Sequence, residues 1–171
     1  MRSFTTVARP MIMTTGQPLV IRGGIIILLQ KSMTALNWGA RSVLKTEFCQ
    51  LARAHAQCTV WHQDFLKLDL PDTFFDGVFA NASLFHVPSQ ELPRVLAELR
   101  TALRAGGVLF ASNPRGPNVE GWNGLRYGAY HDLEQWSQFM TAAGFVKIEH
   151  YYRPAGKPRD EQPWLASTWR C

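Results

Sequence analysis

Acidic residues are missing from the first quarter of this chain. No Asp or Glu occurs before Glu47, while Arg2, Arg9, Arg22, Lys31, Arg41 and Lys45 give the first 46 residues a charge of +6. The remainder carries −1, so the whole net charge of +5 resides in that opening stretch. Cysteine is scarce as well. Cys49, Cys58 and Cys171 form no CxxC pair and no disulfide framework, which argues against a disulfide-stapled secreted fold and fits a reducing compartment. Long apolar runs are absent too. The longest, Ile25 to Leu29, falls far short of the ~20 residues of a membrane span and reads as a buried strand. No metal site is expected.

What is present is the composition of a folded domain. The 171 residues are 46% hydrophobic and 18% charged, enough to bury a core and too apolar for a disordered chain. The basic, acid-free start has the composition of an organelle transit peptide. The alternative is an N-terminus that simply lacks acids. A cytoplasmic location is the expectation and a mitochondrial one the alternative. Basic charge also suits nucleic acid. Here it is dispersed and not interleaved with aromatics, so no nucleic-acid partner is expected.

Periodicity organises the rest. Short apolar segments at 19–21, 25–29 and 33–38 read as strands, and 41–56 reads as a helix with Leu44, Phe48, Leu51 and Ala52 along one face. Further strands are expected near 59–63, 76–80, 107–112, 145–151 and 164–169. Ser89 can cap a helix, with Glu91 in its first turn and Pro93 tolerated there. Leu92, Val95, Leu96, Leu99 and Leu103 form its apolar stripe, and Gly106-Gly107 is expected to stop it. A long glycine-rich loop is expected from 113 to 130. Asp132 can cap a last helix that turns Leu133, Trp136, Phe139 and Met140 inward and ends at Gly144.

Strands that alternate with helices and finish as a strand pair argue an α/β domain with a mainly parallel sheet. Such sheets bind ligands beyond the carboxyl ends of their strands. That gives meaning to FDGVFANASLFHVP, residues 75–88. It begins as a buried strand and breaks into Asn81, Ala82 and Ser83. Small residues there let a ligand approach the backbone, and Asn81 offers both donor and acceptor. The competing reading is a plain strand-to-helix loop in which Asn81 bonds its own backbone.

The run WHQDFLKLDLPDTFFDGVFANASLFHVPSQELPRVLAELRTALRAGGVLFASNPRG resembles the second half of a class I S-adenosylmethionine-dependent methyltransferase. An acidic tip, QDF, follows one strand. FDGVFAN comes some dozen residues later, then a capped helix, then L-x-x-GGVLF. The resemblance covers residues 33–171, with decreasing clarity toward the front, and leaves 1–32 as an atypical basic segment. It implies a Rossmann-like, mainly parallel sheet with a C-terminal antiparallel pair, its N-terminal part in question. It also implies S-adenosyl-L-methionine as cofactor and a small-molecule methyl acceptor as substrate.

By the same resemblance, Asp64 would bond the adenine amino group, with Phe65 beside the ring. Asn81, Ala82 and Ser83 would lie under the methionine part. Asp76, at the start of its strand, has a structural role. Methyl transfer needs donor and acceptor held in line, and sometimes the removal of a proton. His86 is the base candidate; its alternative is a histidine partly buried under the next loop. Arg115, Trp122, Tyr127 and Tyr130, in the 113–130 loop, suit a substrate lid, or an aromatic-pinned surface loop.

Two family features are missing. No G-x-G-x-G follows the first strand, and Gly23-Gly24 precede an apolar segment where the family's glycines follow one. Where the family places an acid after its second strand to hold the ribose, this chain has Asn37-Trp38. Asn37 can still bond a hydroxyl, without the charge. The expectation is a methyltransferase second half with a replaced first quarter, through truncation, splicing or a shifted frame. The chain is then either an active methyltransferase or a catalytically silent binding module of the same fold.

Overall fold

The structure is a computed structural model that describes residues 25–29 and 59–171, residue 125 excepted, together with Gln50 and Ala54. Gln50 and Ala54 are helical, within the helix expected over 41–56. The strands expected at 19–21 and 33–38, and Asn37 with them, lie outside the described residues.

Strand β1 (Ile25–Leu29) pairs in parallel with β2 (Thr59–Gln63), from Ile25 opposite Thr59 to Leu29 opposite Gln63. The main sheet has four strands: β3 (Phe75–Asn81), β4 (Leu103–Pro114), β7 (Val146–Arg153) and β8 (Trp164–Arg170), in the order β3-β4-β8-β7. β3 and β4 run parallel, while β8 is antiparallel to both its neighbours. The strands expected near 25–29, 59–63, 76–80, 107–112, 145–151 and 164–169 are present, and the last two are antiparallel neighbours as expected, but 59–63 pairs with β1 in a sheet separate from β3 and β4. The fold is α/β and Rossmann-like.

Helix α1 (Leu92–Ala102) carries its apolar stripe onto this sheet: Val95, Leu96 and Leu99 are 0% exposed. Helix α2 (Leu133–Ala142) buries Trp136 and Met140, with Leu133 and Phe139 packed at the margin of the same core. Large apolar side chains spaced three and four apart meet because they share a helix face. Each buried Leu or Phe contributes about 1.5–3 kcal/mol.

Three local expectations are corrected. Ser89 does not cap α1; the capping position is Glu91, with no side-chain cap, and Ser89 is engaged elsewhere. Gly106-Gly107 do not stop that helix. It ends at Ala102, because Leu103 is buried and pairs with Phe75 at the start of β4. The segment 113–130 is not a loop throughout. It folds into an antiparallel hairpin of β5 (Val119–Asn123) and β6 (Arg126–Tyr130). Trp122 opposite Tyr127 and Val119 opposite Tyr130 are the aromatic and β-branched pairs that stabilise such a ladder.

Candidate active site at the carboxyl edge

β3 is buried or half-buried until Asn81, which is exposed at its end. Ala82 follows with φ +54, a left-handed conformation that is uncommon without glycine. It is held there by its N–H, which donates to the Ser112 carbonyl at 2.7 Å. Ser83 precedes a 3-10 turn, Leu84–His86, which buries Leu84 under the sheet edge. The strained residue therefore sits at the strand end where α/β sheets bind ligands.

His86 uses this turn to reach the hairpin. Its Nδ1 lies 2.6 Å from the Tyr127 carbonyl. A carbonyl only accepts, so Nδ1 carries a proton, and in the neutral ring Nε2 holds the lone pair. Tyr127 in turn donates its hydroxyl to Glu120. Burial, and then the hydrogen bond to that carboxylate, push the Tyr127 hydroxyl up to about 12. Burial would push the Glu120 carboxyl up. Hydrogen bonds from the Ser89 backbone and hydroxyl and from Tyr127 outweigh this and hold it below its ordinary value. The Ser89 N–H bond is 2.8 Å long.

The remaining residues divide. Tyr130 lies tilted against Phe85, ring centroids 6.2 Å apart. Gly116 and Gly128 admit it: a Cβ on either would come within 2.7 Å of its atoms. Trp122 is half exposed and meets Tyr127 edge-on at 5.7 Å. Arg115 is not free for a ligand. Its backbone N–H and Nε donate to the carbonyls of Pro163, at 2.8 Å, and Gln162, at 2.7 Å, and its Nη2 donates to that of Arg159. It fixes the β7–β8 connection.

Asp64 follows β2 directly, and its Oδ1 accepts the Leu66 N–H at 2.9 Å, closing a turn. Phe65 is 1% exposed and its ring belongs to the core. Asp76 is the structural residue it was expected to be, paired with Arg104 at 2.7 Å.

Sequence reasoning passed over Arg153. From the end of β7 its Nη2 donates to Ser112 Oγ at 2.6 Å and to Asn81 Oδ1 at 3.4 Å. Nothing in the sequence marks this cation as reaching two strands. Glu120 was also missed, although it is the one acid in 113–130.

Residues 34–111 match the family described as a methyltransferase domain. No curated protein matches the sequence. Among solved structures, the fold is similar to the 1,6-didemethyltoxoflavin-N1-methyltransferase of Burkholderia thailandensis, solved with 1,6-didemethyltoxoflavin and S-adenosylhomocysteine. The identity is 20%, the coverage 72% of this chain and 56% of that one, and the TM-score 0.60. It is similar also to an S-adenosylmethionine-dependent methyltransferase of Mesorhizobium loti, at 19% identity, 71% and 75% coverage and a TM-score of 0.56. A 4+2 cyclase shares the fold at 20% identity, 75% and 63% coverage and a TM-score of 0.57. This chain thus spans little more than half of the first of these proteins. The match over residues 34–111 is to a methyltransferase domain, and the fold is the one that class I S-adenosylmethionine-dependent methyltransferases share. S-adenosyl-L-methionine is the cofactor of that class.

Proposed function

We propose that this chain is a methyltransferase acting on a small-molecule acceptor, with S-adenosyl-L-methionine as methyl donor. The observation that carries the reading is the junction at the end of β3. A left-handed Ala82, an exposed Asn81 and a histidine-docked aromatic hairpin meet at the edge where the fold class binds its ligands. The donor set suits the cofactor. The Asp64 carboxylate accepts from an adenine amino group. Asn81, Ala82 and Ser83 present an amide, a close backbone and a hydroxyl to the methionine end, and Asn37 is the candidate for the ribose. Bound there, the cofactor supplies an electrophilic methyl group.

The chain's own residues then position the acceptor and keep water out. Trp122, Tyr127 and Tyr130 offer aromatic surface. Arg115 serves them indirectly, by holding the base of the segment. His86 docks the hairpin, and its Nε2 lone pair makes it one candidate for taking the acceptor's proton. A small-molecule acceptor is favoured because the hairpin covers the edge closely, with Tyr130 packed onto two glycines.

A silent binding module is the second reading, favoured by the absent G-x-G-x-G and by asparagine in place of the ribose acid. A hydrogen bond to a charged group contributes about 1.5–3 kcal/mol, so loss of that acid weakens cofactor binding roughly tenfold to a hundredfold. Calorimetric titration with S-adenosylmethionine, followed by methyl transfer from labelled cofactor to a panel of small hydroxyl and amine acceptors, separates the two. Saturable binding with transfer supports the enzyme, while binding without transfer, or no binding at all, supports the silent module.

A further inference from the structure

Behind the turn at Leu84–His86 lies a cavity of about 10 Å³, lined among others by Phe85, Asn113, Ala129, His131 and Trp136. That is room for about one water, or for one hydroxyl or amine group. Two of its lining residues each carry a buried polar atom with no partner among the described residues: Asn113 Oδ1 and His131 Nδ1. Buried polar atoms in folded proteins are ordinarily paired. Two at one small cavity point to something that pairs with them.

The other side of His131 is organised. Its Nε2 lies 3.4 Å from Ser89 Oγ. The Ser89 hydroxyl gives its proton to Glu120, which also receives the Ser89 N–H and the Tyr127 hydroxyl. With that proton committed, Ser89 Oγ can only accept from His131. The imidazole is therefore protonated at Nε2 and carries its lone pair on Nδ1.

We propose that Glu120, Ser89 and His131 form a carboxylate–hydroxyl–imidazole relay whose open end, His131 Nδ1, receives the proton of the methyl acceptor, with Asn113 Oδ1 holding the same group. This rests on the methyltransferase reading and assigns the proton to His131 rather than His86. The acceptor class is a primary amine, because Asn113 Oδ1 and His131 Nδ1 both accept and each needs its own proton. Its heteroatom lone pair forms the new bond to the methyl carbon, and the methyl–sulfur bond breaks with its electron pair going to sulfur. The heteroatom's proton moves to Nδ1.

The charged groups facing the imidazole are Glu120 on β5 and Asp132, the next residue. Tyr127, through Glu120, and Asn113, Trp136 and Phe139 are neutral. Burial lowers the His131 pKa against the opposing pull of Glu120 and Asp132, so the ring is a neutral acceptor at pH 7.

The test uses the full chain labelled with 15N-histidine, without cofactor. The expected spectrum at pH 7 shows His131 neutral and protonated at Nε2. Ser89→Ala and Glu120→Gln convert it to a tautomer mixture, and Glu120→Gln lowers its pKa further. An Nδ1-protonated His131 in the wild-type chain overturns the relay, whether or not the chain methylates anything. In the turnover arm, His131→Gln loses about 10²–10⁴ in kcat and its loss shrinks as pH rises, while His86→Gln keeps the wild-type pH profile. Retention of activity within threefold by His131→Gln, with a displaced profile in His86→Gln, returns the proton to His86. If the chain binds no cofactor, the methyltransferase reading fails and the spectrum still decides the relay.

Discussion

Arg153 donates to the Ser112 hydroxyl across 2.6 Å, and it does so from the far side of β8. The same Nη2 reaches Asn81 Oδ1, and the guanidinium lies 5.8 Å from the centre of the Trp164 ring. One cation thereby ties β7 to the ends of β4 and β3. Arg153→Met keeps the stem and removes the hydrogen bonds. It is expected to destabilise the fold by about 1–2 kcal/mol, read as a shift of the urea midpoint. On the proposed role of Asn81, releasing its restraint should also weaken cofactor binding severalfold. An unchanged midpoint and affinity would show that Ser112 and Asn81 do not need this contact.

Ala82 stores strain at the same edge. Its left-handed φ of +54 costs about 1–2 kcal/mol relative to glycine, against about 0.4–1 kcal/mol of extra unfolded-state entropy that glycine brings. Ala82→Gly should therefore stabilise the chain by about 0.5–1 kcal/mol. Loss of stability in denaturant titrations would mean that the Ala82 methyl packs better than its backbone suggests.

Trp136 Nε1 donates to Ser167 Oγ at 3.0 Å inside the core, and both residues are almost wholly buried. Trp136→Phe removes the donor and leaves the hydroxyl with nothing to satisfy it. A destabilisation of about 1–3 kcal/mol is expected. Adding Ser167→Ala in the same chain should recover part of it, and strictly additive losses in the double-mutant cycle would contradict a coupled pair.

Asp132 caps α2: its Oδ1 accepts the Gln135 N–H at 2.8 Å, and Asn118 bonds both its Oδ2 and its N–H. Asp132→Ala should cost about 0.5–2 kcal/mol. The Gln135 N–H, then the Asn118 amide, lower the carboxyl below its ordinary 3.8. A depressed pKa contributes stability that is present above the unfolded value and lost as pH falls through the folded one. The stability difference between the wild-type chain and Asp132→Asn should therefore shrink on acidification below about pH 4. A difference that grows in acid would reverse the assignment.

The packing of this domain was legible from local pattern. Val95, Leu96 and Leu99 had to share a helix face, and β3 and β4 had to be buried, because apolar spacing and the hydrophobic effect act along the chain itself. Asp132 was legible as a cap, because its partner is three residues away. The helix that ends at Ala102 instead of Gly106 was not. Its stop is set by Leu103 pairing with Phe75, a contact between residues far apart in sequence.

The site divides the same way. A break of small polar residues after a buried strand can be read locally at Asn81. Which groups face that break depends on how distant strands are brought together. Arg153 lies 72 residues from Asn81, and the chain Glu120–Ser89–His131 joins three segments that carry no shared motif. Turn chemistry and periodicity are short-range and are written locally. Hydrogen-bond partners brought across a sheet are chosen by topology, and no pattern in one segment names its partner in another.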